Sequence, residues 1–397
     1  MVRFIRPHPG QESVLKAKTR FRVVACGRRF GKTTAGQIAI LETAARGGRC
    51  WWLSPTYGMA SQVWRDLKRV GRELGQDAVI HEQERRIDFY GGGWLAIHSA
   101  HSPDRLRGAG LDLAVLDEAA FMTPDVWPEV VRPMLTERRG GALFLSSPNG
   151  RNWFWEVFRL GLEPAEPDWQ SFHFTSYDNP LIAPEELEAI HRQTPERIWQ
   201  QEYLAQFASD GGSVFRNVRE AATAPADAQP LVGRCYSAGL DWGREHDYTA
   251  LVVIDAEARQ MVALDRFNQV NWSLQRGRLK AMIERWRPAV VWAESNSIGL
   301  VNIEALQAEG LPVRAFATTA RSKTPLIEDL ALAVERGELA LLPDDRLLDE
   351  LAAYSMTRLP GGGYRYSAPP GGHDDLVIAA ALAWRGVRYG GAGVDFV

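Results

Sequence analysis

The stretch Val23–Gly36, VVACGRRFGKTTAG, decides the fold. It is an apolar run, then a turn of small and basic residues, then Gly31-Lys32-Thr33-Thr34 opening a helical pattern. A phosphate-binding loop needs inward-facing backbone N–H groups, a lysine for the terminal phosphates and a hydroxyl for Mg²⁺. Gly31, Lys32 and Thr33 supply these, with Thr34 beside them. The usual spacing of Gly, four residues, then Gly-Lys-Ser/Thr puts the first glycine at position 26, where this chain has Cys26. Gly27, one place late, reads as its substitute, and Arg28 and Arg29 add positive charge next to the phosphates. Taken alone, the stretch is also compatible with a surface turn before a helix.

Working outward, LDLAVLDEAA (111–120) supplies what such a loop requires. A buried-strand pattern leads to Asp117 and Glu118. An Asp at a strand end holds Mg²⁺ through water, and an adjacent Glu orients the attacking water. The plain alternative is a strand end whose acids face solvent or cap the next helix. In RPHPGQESVL, Gln11 stands where an amide reads an adenine edge, or is a surface glutamine. LSSPNGRN offers Ser146, Ser147 and Asn149 as sensors of the γ-phosphate. DRLRGAG carries Arg105 and Arg107, candidates for an arginine finger in a neighbour's site or ordinary surface arginines. The expected ligands of this half are ATP and Mg²⁺.

The surrounding pattern is α/β. From Phe21 to about Phe207, the runs FRVVAC, CWWLSP, LDLAVLDEA and GALFLSSP read as buried strands. They alternate with helical segments such as 33–46 and 59–74, which predicts a parallel sheet covered on both faces. At 397 residues the chain is long enough for two domains. The first is expected over 1–208. Residues 209–233, rich in Ala, Gly, Pro and polar residues, read as a linker with an ordered turn at Val214–Phe215. A second domain over 234–397 is expected to hold a mixed sheet. CYSAGLDWG gives a strand ending in Asp, TALVVIDAEARQMVALDRFNQV a hairpin turning at 256–259, AVVWAESN a further strand, and SLQRGRLKAMIERW and GHDDLVIAAALAWRGV helices.

This second half has its own acids. Asp241 closes one strand, Glu294 closes another, and Asp374 and Asp375 open a helix. Carboxylates brought together at converging ends repel unless cations neutralise them. Two hard divalent ions would do so and would activate a water against a phosphodiester. His373 is a candidate for orienting a ligand or leaving group, and Asp247 for an outer-shell acid. Singly, each acid has a plain reading: Asp374 and Asp375 suit a first helical turn without any metal.

In this order and spacing, GRRFGKTT, LAVLDEAA, LFLSSPNG, IWQQEYLAQF, GLDWG and GHDDLVIAAAL resemble the large subunits of tailed-bacteriophage terminases, the DNA-packaging motor-nucleases. The resemblance covers nearly the whole chain and implies a P-loop NTPase domain followed by an RNase H-like nuclease domain. It implies that Lys32 and Thr33 bind phosphate and Mg²⁺, that Asp117 serves the metal and that Glu118 is the catalytic base. Ser146 to Asn149 would couple hydrolysis to movement, and Arg107 would act on the next subunit. Asp241, Glu294 and Asp374 or Asp375 would hold Mg²⁺ or Mn²⁺ and cut concatemeric DNA. The implied partners are double-stranded DNA, the portal protein and the small terminase subunit. The implied assembly is a ring of five on the portal, monomeric in isolation, in the host cytoplasm.

Composition bounds these readings. The formal net charge is −3, so DNA contact has to come from local basic patches. Arg65, Lys68 and Arg69 are candidate grips, or a solvated helix face. Three scattered cysteines with no CxxC pair argue against zinc sites and a disulfide framework and fit a reducing setting. No apolar run is long enough to cross a bilayer, and the N-terminus lacks a signal-peptide core. The aromatic stretches CWWLSP and RNWFWEVF read as core or subunit contact. The nearest rival is a helicase-nuclease of DNA repair or recombination, against which no second motor domain separates the halves. A non-hydrolysing nucleotide-binding scaffold, decayed at Cys26, is the other.

Overall fold

The computed structural model describes residues 6–101, 110–207, 213–243, 247–296, 299–359 and 364–390. The chain divides into two compact units, the first made chiefly of residues 1–210 and the second chiefly of residues 211–397.

The first unit contains strands β1 Phe21–Cys26, β2 Arg49–Ser54, β3 Ala78–His81, β4 Arg86–Phe89, β5 Trp94–Ser99, β6 Leu113–Asp117, β7 Gly141–Ser146 and β8 Trp169–Phe174. They form one sheet in the order β3-β4-β5-β2-β6-β7-β1-β8. Every neighbouring pair from β5 to β8 is parallel. At the other edge β3 and β4 run antiparallel.

Side chains alternate along a strand, so a sheet covered on both faces needs apolar residues at consecutive positions. In β1, Phe21, Val23 and Ala25 enter one core while Val24 and Cys26 enter the other. The same sorting separates Trp51 and Leu53 from Cys50 and Trp52, and Ala142 and Phe144 from Leu143 and Leu145. Helices Lys32–Ala45 and Tyr57–Glu73 cover the second core through Ile40, Ala44, Val63 and Leu67. Residues of the 119–135 segment and of helix Trp153–Leu160 cover the first. The tryptophans of CWWLSP are therefore core residues.

The second unit contains β9 Tyr236–Asp241, β10 Thr249–Asp255, β11 Gln260–Phe267, β12 Val290–Glu294 and β13 Val313–Phe316, in the order β11-β10-β9-β12-β13. β9, β10 and β11 are antiparallel neighbours, while β12 and β13 run parallel to β9. The hairpin turns where predicted: Asp255 Oδ1 accepts from the N–H groups of Glu257 and Ala258, and Arg259 takes φ +51°. Helix Asp375–Tyr389 is buried at every residue from Leu376 to Trp384, so it forms the centre of this unit.

The polar stretch after the first unit is not a free spacer over its described part. Val214, Phe215, Val218, Ala221 and Ala224 are all buried. The Val214 N–H donates to Tyr354 O at 2.9 Å, and Leu341 N–H donates to Ala221 O at 2.7 Å. Its few apolar residues pin it along the second unit, although its composition is that of a linker.

Candidate active sites

The carboxyl ends of β6, β7 and β1 lie side by side, which is where open α/β sheets receive ligands. Cys26 is still part of β1. Its side chain sits in the core, and burial pushes its thiol up to about 12. The turn therefore begins at Gly27. A Cβ at Gly27 would collide with the carbonyl of Tyr203 and the backbone of Ser176. Gly27 N–H donates to Phe174 O at 2.9 Å, and Ser176 Oγ donates to Arg28 O at 2.7 Å. So Gly27 is required by close packing rather than by an unusual φ. The turn is made instead by Arg29 at φ +64° and Gly31 at φ +98°, and the helix starts at Lys32.

The loop is held from three sides. Arg28 donates through its backbone N–H to Glu202 O at 2.6 Å and through Nε to Glu202 Oε2 at 2.7 Å, and Glu202 is fully buried. Asn179 Nδ2 donates to Arg29 O at 2.6 Å, while the Arg29 side chain is exposed. Gln11, buried, accepts from His8 N–H at 3.0 Å and donates to Gly31 O at 2.8 Å. The amide proposed from the sequence as an adenine reader thus fastens the first helix, Pro9–Lys16, to the loop.

Inside the loop Lys32 Nζ lies 3.0 Å from Glu118 Oε1. Burial opposes the lysine charge, yet Glu118, Cys26 and Asp117 together raise its pKa above that of a free lysine. Asp117 is buried with Oδ1 unpartnered; burial first, and then Glu118, push its carboxyl up to about 7. Glu118 takes φ +56°, a left-handed conformation that is costly for a residue with a side chain and that concentrates at functional sites. Ser146 Oγ accepts from Ala120 N–H at 3.2 Å and donates to Ser147 O at 2.8 Å, bridging the ends of β6 and β7. Thr33 and Thr34 occupy the first helical turn, half-buried, and Asn149 lies half-buried in the turn after β7. Asn152, which the sequence reading passed over, donates to Ala120 O at 2.7 Å and caps the helix that follows. Arg105 and Arg107 lie outside the described residues.

In the second unit β9 and β12 are parallel neighbours, so Asp241 and Glu294 close the same edge of the sheet. Burial first, then a hydrogen bond from and the charge of Glu294, then Asp375 and Asp374, hold Asp241 well above the usual carboxylate range. The helix starting at Asp375 brings its two acids to this edge and splits them. Asp374 Oδ2 is 3.1 Å from Lys323 Nζ. Asp375 is buried, with Arg266 Nη2 at 3.9 Å and His373 Nδ1 at 3.8 Å. Arg266 in turn meets Glu350 Oε1 at 2.9 Å, and Glu350 Oε2 accepts from Leu376 N–H at 2.9 Å. Burial and then Glu350 push Asp375 up to about 7. Asp247 stands 4.0 Å from His373 Nδ1. Lys323, Arg266 and Glu350 were not singled out from the sequence, because nothing local marks them.

Among the described residues no group of three or more acids, histidines or cysteines is arranged as a ready-made metal cage. The donor set still fits a hard divalent ion. It is all carboxylate, Asp375 Oδ2 is buried without a hydrogen-bond partner, and burial and the neighbouring acids hold Asp241 well above the usual carboxylate range. The basic residues offered as DNA grips are engaged with their own helix and its neighbours. Lys68 Nζ meets Glu82 at 2.8 Å, Arg65 donates to Gln62 at 2.7 Å and Arg69 lies 3.7 Å from Asp66.

Residues 24–221 match the family model of the terminase large subunit, T4likevirus-type, N-terminal, and residues 238–383 match the terminase RNaseH-like domain. The large terminase subunit of Thermus virus P23-45 is 32% identical over 431 residues, covering 96% of this chain and 87% of that protein. A solved large terminase from a thermophilic bacteriophage superposes with a TM-score of 0.55 at 17% identity, covering 97% of this chain and 100% of that one. The large terminase nuclease of the thermophilic phage G20c, solved with bound magnesium, is 30% identical with a TM-score of 0.41, covering 44% of this chain and 98% of that one. A phosphate loop closed by a lysine–glutamate pair, an acid-edged second sheet and a relative matched nearly end to end agree: the chain belongs to the terminase large subunits, the ATPase-nucleases of phage DNA packaging.

Proposed function

We propose that the first site hydrolyses ATP to move double-stranded DNA and that the second cuts it. The observation that carries this reading is the Lys32–Glu118 pair at 3.0 Å, a cation and an acid poised at the mouth of a phosphate loop. Gly31, Thr33 and Thr34, with Gly27 shaping the loop and Arg28 and Arg29 beside it, cradle the phosphates. Lys32 turns from Glu118 to the terminal phosphates, freeing Glu118 to orient the attacking water. Asp117 and Thr33 hold Mg²⁺. Ser146 and Asn149, on the adjoining strand end, sense the γ-phosphate, and Gln11 transmits loop position to the first helix. Arg107 is the arginine finger for the next subunit.

In the second unit Asp241, Glu294, Asp374 and Asp375 hold the divalent ions, Mg²⁺ or Mn²⁺. When bound, these ions supply an activated water and a clamp on the scissile phosphodiester. The ions would take over from Lys323 as counter-charge to Asp374 and would neutralise the acids crowded around Asp241. Arg266 and Glu350 keep Asp375 oriented. The protein acts as a ring of five on the portal, with the small terminase subunit delivering DNA, and is monomeric in isolation. A packaging assay tests the whole: with procapsids bearing portals and with ATP, DNA becomes protected from added nuclease, and Glu118→Ala leaves it exposed. Strand separation of duplex DNA without protection would favour the helicase-nuclease reading instead.

A further inference from the structure

The second unit carries an open cavity of about 420 Å³ away from β9. One wall is aromatic, from Trp292, Phe316 and Tyr389, and the guanidinium of Arg385 lies 5.1, 5.1 and 5.5 Å from those ring centres. Among the described residues no carboxylate pairs with this guanidinium, and its Nε is buried without a hydrogen-bond partner. Its neighbour Arg388, by contrast, reaches Asp329 at 4.0 Å. Asp329 also lines the slot, but its carboxylate is engaged by Arg388 and by Tyr389 Oη at 3.2 Å. So Arg385, stacked among rings without a carboxylate of its own beside a slot of small-ligand size, matches a flat aromatic body that carries a negative group.

The cavity is joined to the acid edge by two short links. The turn after β13 supplies Ala317 and Thr319 to the lining, and within it Thr318 O accepts from Asn296 Nδ2 at 2.7 Å. The same Asn296 Nδ2 donates to Glu294 Oε1 at 3.2 Å. Helix Ala320–Glu335 lines the cavity with Ser322, Pro325 and Leu326, and between them Lys323 reaches Asp374. The cavity wall is thus tied to Glu294 through Asn296 and to Asp374 through Lys323.

We propose that this cavity binds a nucleoside 5′-monophosphate, its base against Phe316 and Tyr389 and its phosphate on Arg385, and that occupancy alters cleavage at the acid edge. The second clause rests on the nuclease reading above; the first does not. The test is equilibrium dialysis of the full chain in EDTA, with labelled dAMP in one arm and a 5′-phosphorylated oligonucleotide in the other. Binding is expected to fall about tenfold or more in Arg385→Gln, the loss of a charge-assisted contact, and to persist in Lys32→Ala, which disables the ATP site. Ala315→Trp, at an exposed position on the cavity rim, blocks binding without disturbing the core and guards against misfolding of the first variant. Capture of dAMP assigns the site to free nucleotide, and capture of the oligonucleotide alone assigns it to the end of a strand. No binding in either arm, or binding unchanged in both cavity variants, overturns the proposal. If ligand binds but changes Mn²⁺-dependent plasmid cleavage equally in wild type and Arg385→Gln, the link to the acids is overturned while the nuclease reading stands.

Discussion

At the end of β6 the carboxylate of Glu118 meets an ammonium group 3.0 Å away, whereas at the end of β9 the carboxyl of Asp241 meets another acid, Glu294. Both sites occupy the same place in a sheet, the carboxyl end of a central strand with a parallel neighbour. They differ in where the compensating charge comes from. The first carries its own counter-ion on the loop. The second has a surplus of acid. Lys323 reaches Asp374 and Arg266 reaches the Glu350–Asp375 pair, but Asp241 is raised by burial and by the acids Glu294, Asp375 and Asp374 around it. A buried carboxylate without a cation raises its pKa or recruits an ion, so the second site should answer to divalent metal far more than the first.

The largest expected effect separates the two chemistries. Lys32→Ala and Glu118→Ala should each lower ATP turnover by about 10²–10⁴-fold, the range for losing a positioned acid–base group, while Mn²⁺-dependent plasmid cleavage persists. Asp241→Ala should abolish that cleavage and leave ATP turnover unchanged. Paired rate measurements on the three variants check this, and loss of both activities in any one of them breaks the separation.

A smaller effect tests the charge argument directly. Near-saturating Mn²⁺ should raise the melting temperature of the wild-type second unit by about 5 °C or more, read by calorimetry on the full chain. Asp241→Asn should show little of this rise. Without metal it should melt higher than wild type at pH 7, because a neutral amide replaces a carboxyl that must be desolvated or protonated. A metal-free variant less stable than wild type would show that Asp241 is not a source of strain.

Much of this was legible in the sequence because it is local. The continuous apolar runs in FRVVAC, CWWLSP and GALFLSSP mark strands buried on both faces, and strand ends bearing Asp117, Asp241 and Glu294 mark where the acids gather. The short strands Ala78–His81 and Arg86–Phe89 were not legible. They have only four residues each, half-buried at a sheet edge, too few for a period to register. The supports of the sites were hidden for another reason. Arg28 finds Glu202 across 174 positions of sequence, and Lys323 finds Asp374 across 51, contacts that only the fold creates. The missing glycine at 26 was a question of register: the strand runs one residue further than the usual loop, so a core side chain is wanted there and the turn falls to Arg29 and Gly31.

Burying an ionisable group without a partner carries a cost that pH exposes, and His98 offers a test of this away from both sites. It sits on β5 with its ring 4.2 Å from that of Trp51, and burial lowers its pKa to about 4. An unfolded histidine takes up its proton near pH 6.5. Between about pH 6.5 and 4 the unfolded chain therefore binds more protons than the folded one at this position, and stability falls as the pH drops through that window. Phenylalanine keeps the ring packing and cannot titrate. Urea midpoints of wild type and His98→Phe should lie close together at pH 7 and diverge toward pH 4.5, with wild type the weaker. Parallel midpoints across the window would mean that His98 reaches solvent when protonated, and that burial alone does not set the charge of groups in this sheet.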